Sequence, residues 1–389
     1  MKVTRVTVFD VTLPVTPSAG RQNAWIVEVE TDEGLTGAGE IGLCYGIGGR
    51  GAAHVLLDLA EQYLIGADPG LIEKHHDNMV RNTFWGLSGG AVFMAAVSAL
   101  DEALWDIKGK KLGAPIHALL GGAKTDSLRL YANGWYRGLG KAEAYRDAVY
   151  GVVQDGYSAF KFDPFKADLT GKAAHPRRVL TRELESLALE RVVAAREAAP
   201  NADIIVEFHG NLWPADAIRF GLKAADLNPY FYEEVVDPLN VEAAADVARS
   251  VSVPLAGGER LWSRNGFRPF LENGTLKLVQ PDLGIAGGFT EVQKIASLSE
   301  SYCAYLQPHN CGGPISTAAC VNLSAACPNF LIQEIFPYWT DGRENIVQNP
   351  YEADIKDGRL QIRDLPGLGV ALNHDFLTRF DSLSVGRTT

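Results

Sequence analysis

Residues 203–234 read DIIVEFHGNLWPADAIRFGLKAADLNPYFYEE. A β-rich run, DIIVEF, passes through a helical stretch into a second β-rich run, YFYEE. The alternation continues on both sides, with LRLYA at 128 and SAFKF at 158 before it, and VPLAG at 253, LKLVQ at 276, CAYLQ at 303 and FLIQE at 330 after it. These are eight strands separated by helical segments such as 142–154, 184–199 and 287–299. A strand reached through a helix lies parallel to its predecessor. Eight such units closing on themselves predict an α/β fold, a (β/α)8-type barrel whose last helix is weakly marked.

Before the barrel, residues 2–11, 23–31 and 35–42 read as strands, the last two joined by the turn Thr31-Asp32-Glu33-Gly34. Helical patterns follow at 52–65, 69–81 and 90–111, which predicts an α+β capping domain. After about residue 345 the chain returns to turns and short strands with no core of its own, and is expected to pack back on the cap. The division is therefore 1–125 cap, 126–345 barrel and 346–389 C-terminal segment.

Composition narrows the function classes. Hydrophobic residues make up 47% and charged residues 21% of the 389, enough to bury a large core. The net charge is −11 and no basic run occurs, so nucleic acid is not an expected partner. MKVTRVTVFDVTLPV alternates as a strand does and lacks the apolar centre of a signal peptide, so the mature chain is expected to start there. The uncharged stretch from Asn82 to Leu100 contains Gly86, Gly89 and Gly90 and runs straight into DEALWDIKGK. It predicts the start of a buried helix, not a membrane span. The five cysteines form no C-x-x-C pair, which fits a reducing cytoplasm and gives no zinc motif.

Barrel enzymes build their sites where the strands end. Here Glu207, Glu233 and Glu259 stand at or just beyond three successive strand ends, 26 residues apart at each step. Any one alone would read as a solvated loop carboxylate. Together they converge, and converging carboxylates repel unless a cation sits among them. With oxygen donors only, the expected ion is Mg²⁺. The next strand ends bring Asp282 and His309, 27 residues apart, and Glu334, 25 further on. A carboxylate beside a His fixes its tautomer and raises its basicity, so His309 is the candidate general base. Glu334 follows an apolar run and reads either as a carboxyl dry enough to stay protonated and donate a hydrogen bond to a developing oxyanion, or as a helix-start carboxylate at the barrel rim.

Strand two ends in Lys161-Phe162-Asp163, where alternation points Lys161 and Asp163 to one side and sets Lys161 across the metal from His309. Beside a cation Lys161 is expected to lose proton affinity, as a base, a carboxylate anchor or both. Asp163 is a candidate substrate contact. His209, two residues beyond Glu207, is expected on the same face as a proton donor to a leaving group. The segment from Asp163 to Thr181 carries Lys166, Lys172, Arg177 and Arg178, which are either solvated or collect an anionic substrate. Gly46-Ile47-Gly48-Gly49-Arg50-Gly51 matches G-x-G-x-x-G, but residues 66–81 continue as turn and helix where a dinucleotide fold needs a second parallel strand. A NAD-dependent oxidoreductase is thus the weaker reading. A loop over the barrel mouth, with Tyr45 a candidate substrate contact, explains the glycines better. A barrel that only binds ligands is a further alternative, against which stand the metal, base and acid candidates.

Lys161, Glu207, Glu233, Glu259, the Asp282 and His309 pair and Glu334, in that order after an α+β cap, resemble the mandelate racemase subgroup of the enolase superfamily. The likeness extends to DEALWDIKGKKLGAPIHALLGG at 101–122, PLAGGE at 254–259 and PGLGVALNHDFL at 366–377. It implies abstraction of the proton α to a carboxylate, with Mg²⁺ holding the enediolate. Two positions depart from the racemases. Lys161-Phe162-Asp163 replaces Lys-x-Lys, and Glu207-Phe208-His209 replaces Asp-x-Asn. The strand-three His resembles galactonate-type sugar acid dehydratases, where it expels the β-hydroxyl. The resemblance thus implies a cytoplasmic, homo-oligomeric lyase that converts an aldonate or aldarate to a 2-keto-3-deoxy acid. A racemase, epimerase or cycloisomerase of a sugar acid is the alternative on the same fold.

Overall fold

The computed structural model describes residues 1–14, 23–45, 47–174, 176, 178–339 and 341–386; Gly46 and Arg177 lie outside them. Its first three strands, β1 (Val3–Thr12), β2 (Asn23–Thr31) and β3 (Thr36–Ile41), form an antiparallel sheet that β13 (Ser382–Gly386) extends at the β1 edge. Gly34 turns the β2–β3 hairpin at φ +80°, a conformation that favours glycine. Both sheet faces are apolar. Val6, Val8, Val27 and Val29 share a core with the helices α1 (Gly49–Tyr63), α2 (Ile72–Arg81) and α3 (Ala91–Leu112), while Phe9, Val11 and Ile26 face the main core. The element after α1 is α2 and not a strand, so the glycines at 48, 49 and 51 open a cap helix.

The β3 sequence TGAGEI explains how closely α3 lies on it. A Cβ at Gly37 would stand 2.1 Å from the Ala103 carbonyl oxygen, and one at Gly39 2.0 Å from that of Ala99. A two-residue strand step and a four-residue helix step have nearly the same length, roughly 6 to 7 Å, so the two glycines match two helix turns. As the edge strand, β3 has amides without strand partners. Asp106 accepts from Ala38 N and Glu102 from Glu40 N, both at 2.9 Å. The helix expected over 90–111 is therefore present, but Phe84, Trp85 and Leu87 before it are exposed. Among the described residues no helix is long and apolar enough to cross a membrane.

After the short α4 (Ile116–Leu119), eight parallel strands follow: β4 (Ser127–Ala132), β5 (Ala159–Phe162), β6 (Asp203–Glu207), β7 (Phe231–Glu233), β8 (Leu255–Gly257), β9 (Leu278–Val279), β10 (Tyr305–Leu306) and β11 (Gln333–Ile335). Their order is β10-β9-β8-β7-β6-β5-β4-β11, and a parallel bridge from Leu306 to Phe330 joins the two remaining edges. The connections are α5 (Ala142–Gln154), α6 (Arg182–Ala198), α7 (Pro214–Ala224), α8 (Val241–Ser250), α9 (Ser263–Glu272), α10 (Leu283–Ala286) with α11 (Gly288–Ser301), and α12 (Pro314–Ala326).

The structure sharpens the sequence reading in two places, the weakly marked last helix and the C-terminal segment. No eighth outer helix follows β11 among the described residues, where the next α-helix is the single turn α13 (His374–Leu377). The C-terminal segment also does more than return to the cap. Its β12 (Arg359–Gln361) pairs with barrel strand β4, and Tyr351, Leu360 and Leu368 join the main core. β13 pairs with the cap sheet, and His374 reaches Glu28 of β2 at 3.3 Å.

Candidate active site

Tyr131, Ala159, Ile205, Phe231, Ala256, Leu278 and Ile332 form a separate buried cluster, drawn from the barrel strands and the residue before β11. Two residues further along each strand, on the same side of the pleat, stand Asn133, Lys161, Glu207, Glu233, Gln280 and Glu334. An apolar floor thus carries a polar layer directly above it, at the C-terminal end of the barrel. Position 258 is the exception, a glycine at φ +132°, and Glu259 beyond it completes the set.

One carboxylate oxygen from each of Glu207, Glu233 and Glu259 lies within 4.8 Å of the other two. Glu207 and Glu233 are buried, and Glu207 Oε2 accepts no hydrogen bond among the described residues. Burial and the neighbouring Glu207 push Glu233 up to about 8, against the pull of Lys161. Three carboxylates, those of Glu207, Glu233 and Glu334, gather round one ammonium. Lys161 Nζ contacts Glu233 and stands 3.3 Å from Glu207 and 3.0 Å from Glu334. Hard oxygen donors with an excess of negative charge suit a divalent ion such as Mg²⁺. Gln280 donates to Glu233 at 2.6 Å and holds it in place.

Among these glutamates Lys161 holds its proton: burial alone would lower its pKa, but Glu233, Glu334 and Glu207 raise it well above the usual lysine value. Glu334 is held ionised. Burial works against the charge, yet Lys161, His309 and the Asn310 amide lower its pKa, and it accepts from Asn133 Nδ2 at 2.8 Å and Asn310 N at 2.9 Å. It is an acceptor, not the protonated donor that its apolar flank implied.

His309 and Asp282 meet as expected, Nδ1 to Oδ2 at 2.7 Å. The His309 Nε2 faces Glu259 at 3.4 Å. Burial would lower its pKa, but Glu259, Glu334 and Asp282 raise it to about 10. A second pair of the same kind stands on β5 and β6, where His209 Nδ1 lies 2.7 Å from Asp163 Oδ2. Burial again opposes, and Glu207 and Asp163 raise the imidazole pKa. This changes the part given to Asp163. It is buried, its other oxygen accepts from Phe165 N at 2.8 Å, and it orients His209 instead of facing the cavity. His209 itself sits at φ +48°, so the chain turns there and simple alternation with Glu207 ends.

A cavity of about 360 Å³ lies over this layer, between the cap and the barrel mouth. Lys161, Lys166, His209, Glu259 and His309 reach it from the barrel, and Cys44 and Tyr45 from the cap. Tyr45 accepts from Arg137 at 3.1 Å, and Arg137 stacks over Trp339 at 5.1 Å. Cys44 and Cys311 join cap to barrel in the wall, their sulfurs 3.4 Å apart. Asn133 and Gln280 were not singled out from the sequence, although the strand-end rule that found Glu207 applies equally to them. Arg260, which pairs with Glu234 and with Glu259, was masked by the glutamate before it.

Residues 144–376 match the family model described as enolase C-terminal domain-like, and residues 3–121 match the mandelate racemase / muconate lactonizing enzyme N-terminal domain. The chain belongs to this family, the enolase superfamily. It is 35% identical to a D-galactonate dehydratase of Xanthomonas oryzae pv. oryzae over 97% of this chain and 94% of that one. It is 34% identical to a D-galactonate dehydratase of Variovorax paradoxus, over 90% and 88% respectively. A solved enolase superfamily member from Salmonella Typhimurium superposes with a TM-score of 0.93 at 37% identity, covering 99% of both chains. The protein is an enzyme of the lyase class, a hydro-lyase.

Proposed function

We propose that this protein dehydrates a sugar acid in a Mg²⁺-dependent reaction, removing the C2 proton and the 3-hydroxyl to give a 2-keto-3-deoxy acid. The observation that carries this reading is the pair of His–carboxylate dyads on opposite walls of one cavity. β6 and β10 are four strands apart in a ring of eight, so His209 and His309 approach from opposite sides. A β-elimination needs such a division, with a base at C2 and an acid at the hydroxyl of C3. A racemase has no leaving group and no need of an acid at C3.

Asp282 engages Nδ1 of His309 and leaves Nε2 to take the C2 proton, which requires that a cation held by Glu259 offset the charge that most raises the imidazole pKa. Asp163 engages Nδ1 of His209 and leaves its Nε2 to give a proton to the departing hydroxyl, which leaves as water. The resulting enol takes up a proton at C3 and becomes the ketone. Lys161, charged by its glutamate neighbours, anchors the substrate carboxylate. Glu207, Glu233 and Glu259 would hold Mg²⁺, which supplies positive charge against the negative charge developing on that carboxylate. The relatives named D-galactonate dehydratase support the same substrate class.

The test is a panel of aldonic and aldaric acids with Mg²⁺, followed for a 2-keto-3-deoxy product. At least one acid should yield it, and EDTA should abolish the yield. Formation of epimers alone from every acid tried would overturn the reading.

A further inference from the structure

The dehydratase reading leaves Lys166, a charged side chain of the cavity, without a task. Of the cations that the sequence marks between Asp163 and Thr181, Arg178 lies over Trp213 at 5.2 Å and Lys172 is exposed. Lys166 lines the cavity. Its ammonium makes no hydrogen bond or ion pair among the described residues. The nearby Asp163 is committed to His209 and to the Phe165 amide. Of the other cavity cations, Lys161 meets three glutamates, Arg260 meets Glu234 and Glu259, and Arg137 donates to Tyr45 and lies over Trp339. Burial, and then the charge of Arg137, lower the pKa of Lys166 against the weaker pull of Asp163, Glu207 and Glu259, none of which pairs with its ammonium.

Lys166 lies on the His209 side, next to the Phe165 amide that holds Asp163, the partner of His209. If His209 acts at C3, the part of the substrate beyond C3 runs towards Lys166. A hydroxylated tail would leave this half-buried cation uncompensated, whereas an anionic end would complete it. Resting on the dehydratase reading, we infer that Lys166 anchors a distal anion subsite and that the preferred substrate is a dicarboxylic sugar acid, an aldarate.

Galactarate and galactonate separate the possibilities, since they differ only at the far end. Turnover and calorimetric binding of each would be measured on the Mg²⁺-supplemented protein, on Lys166→Met and on Lys166→Arg. The wild type should favour the diacid in kcat/KM by about tenfold or more. Lys166→Met should collapse that ratio, chiefly through KM, and Lys166→Arg should recover most of it. A ratio below one in the wild type, or an unchanged ratio in Lys166→Met, would overturn the subsite. Diacid-selective binding that Lys166→Met removes, without any 2-keto-3-deoxy product, would uphold the subsite and overturn the dehydratase reading.

Discussion

Between cap and barrel, Glu40, Asp101, Glu102 and Asp106 are as buried as Glu207 and Glu233 at the barrel mouth, yet the two groups meet different partners. The junction carboxylates reach backbone amides. Glu40 accepts from Gly313 N at 2.6 Å and Ser316 N at 3.0 Å, at the start of α12, and Asp101 accepts from Thr290 N at 3.0 Å, at the start of α11. Each cap side chain thus satisfies open donors of a barrel helix, where a negative charge is also favoured. At the mouth, Glu207, Glu233 and Glu259 converge on one another. A buried carboxylate therefore says little about function by itself. Amide partners mark a joint, and like charges held together mark a place for a cation.

The largest expected effect breaks the mouth. Glu233→Gln should cut product formation by at least about 10⁴-fold and lower the bound-metal content. The metal-free variant should melt no lower than the metal-free wild type, because a like-charge contact is relieved. A clear loss of thermal stability in calorimetry would place Glu233 with the junction carboxylates instead.

His209→Asn should lower formation of the 2-keto-3-deoxy acid by about 10²- to 10⁴-fold, the usual worth of a general acid. Exchange of the C2 proton with solvent deuterium, followed by NMR, should persist because His309 and Asp282 are untouched. Metal content is measured alongside, since His209 N donates at 2.7 Å to Glu207, one of the proposed metal ligands.

The junction has its own signature in pH. Burial raises Asp101 from 3.8 to about 6, so the folded protein holds that proton more tightly than the unfolded chain. The stability from Asp101 is full below pH 3.8 and is lost as pH rises through 6, by about 3 kcal/mol in all. Denaturant melts at pH 4 and pH 7 should differ less in Asp101→Asn than in the wild type, by about that amount. An equal difference in both proteins would remove Asp101 from the account.

The smallest effect sharpens the link between the two His dyads. Asp163→Asn should reduce kcat by about 10- to 100-fold, as loss of an orienting partner does. It should also lower the pKa of His209, read by NMR titration of its imidazole. An unmoved titration with reduced kcat would mean that Asp163 meets substrate after all.

The barrel, its cap and the polar layer were legible in the sequence because strand alternation is local. A side chain two positions beyond an apolar interior residue shares its face, and this brings Lys161, Glu207, Glu233 and Glu334 to one mouth whatever the rest of the chain does. The 26-residue spacing repeats because each strand–helix unit spans a similar length. What only the tertiary structure decided depends on neighbours remote in the chain. The Gly313 and Ser316 amides lie 273 and 276 residues from the Glu40 that caps them, and no local pattern announces that pairing. The backbone turn at His209 redirected a side chain that alternation had aimed elsewhere, and so gave Asp163 a partner in place of a substrate. The directions in which the Lys161 and Glu334 pKa values move likewise follow from which groups surround them. Apolar flanks in sequence measure burial, whereas ionisation follows the sum of burial and the charges that the fold brings within reach.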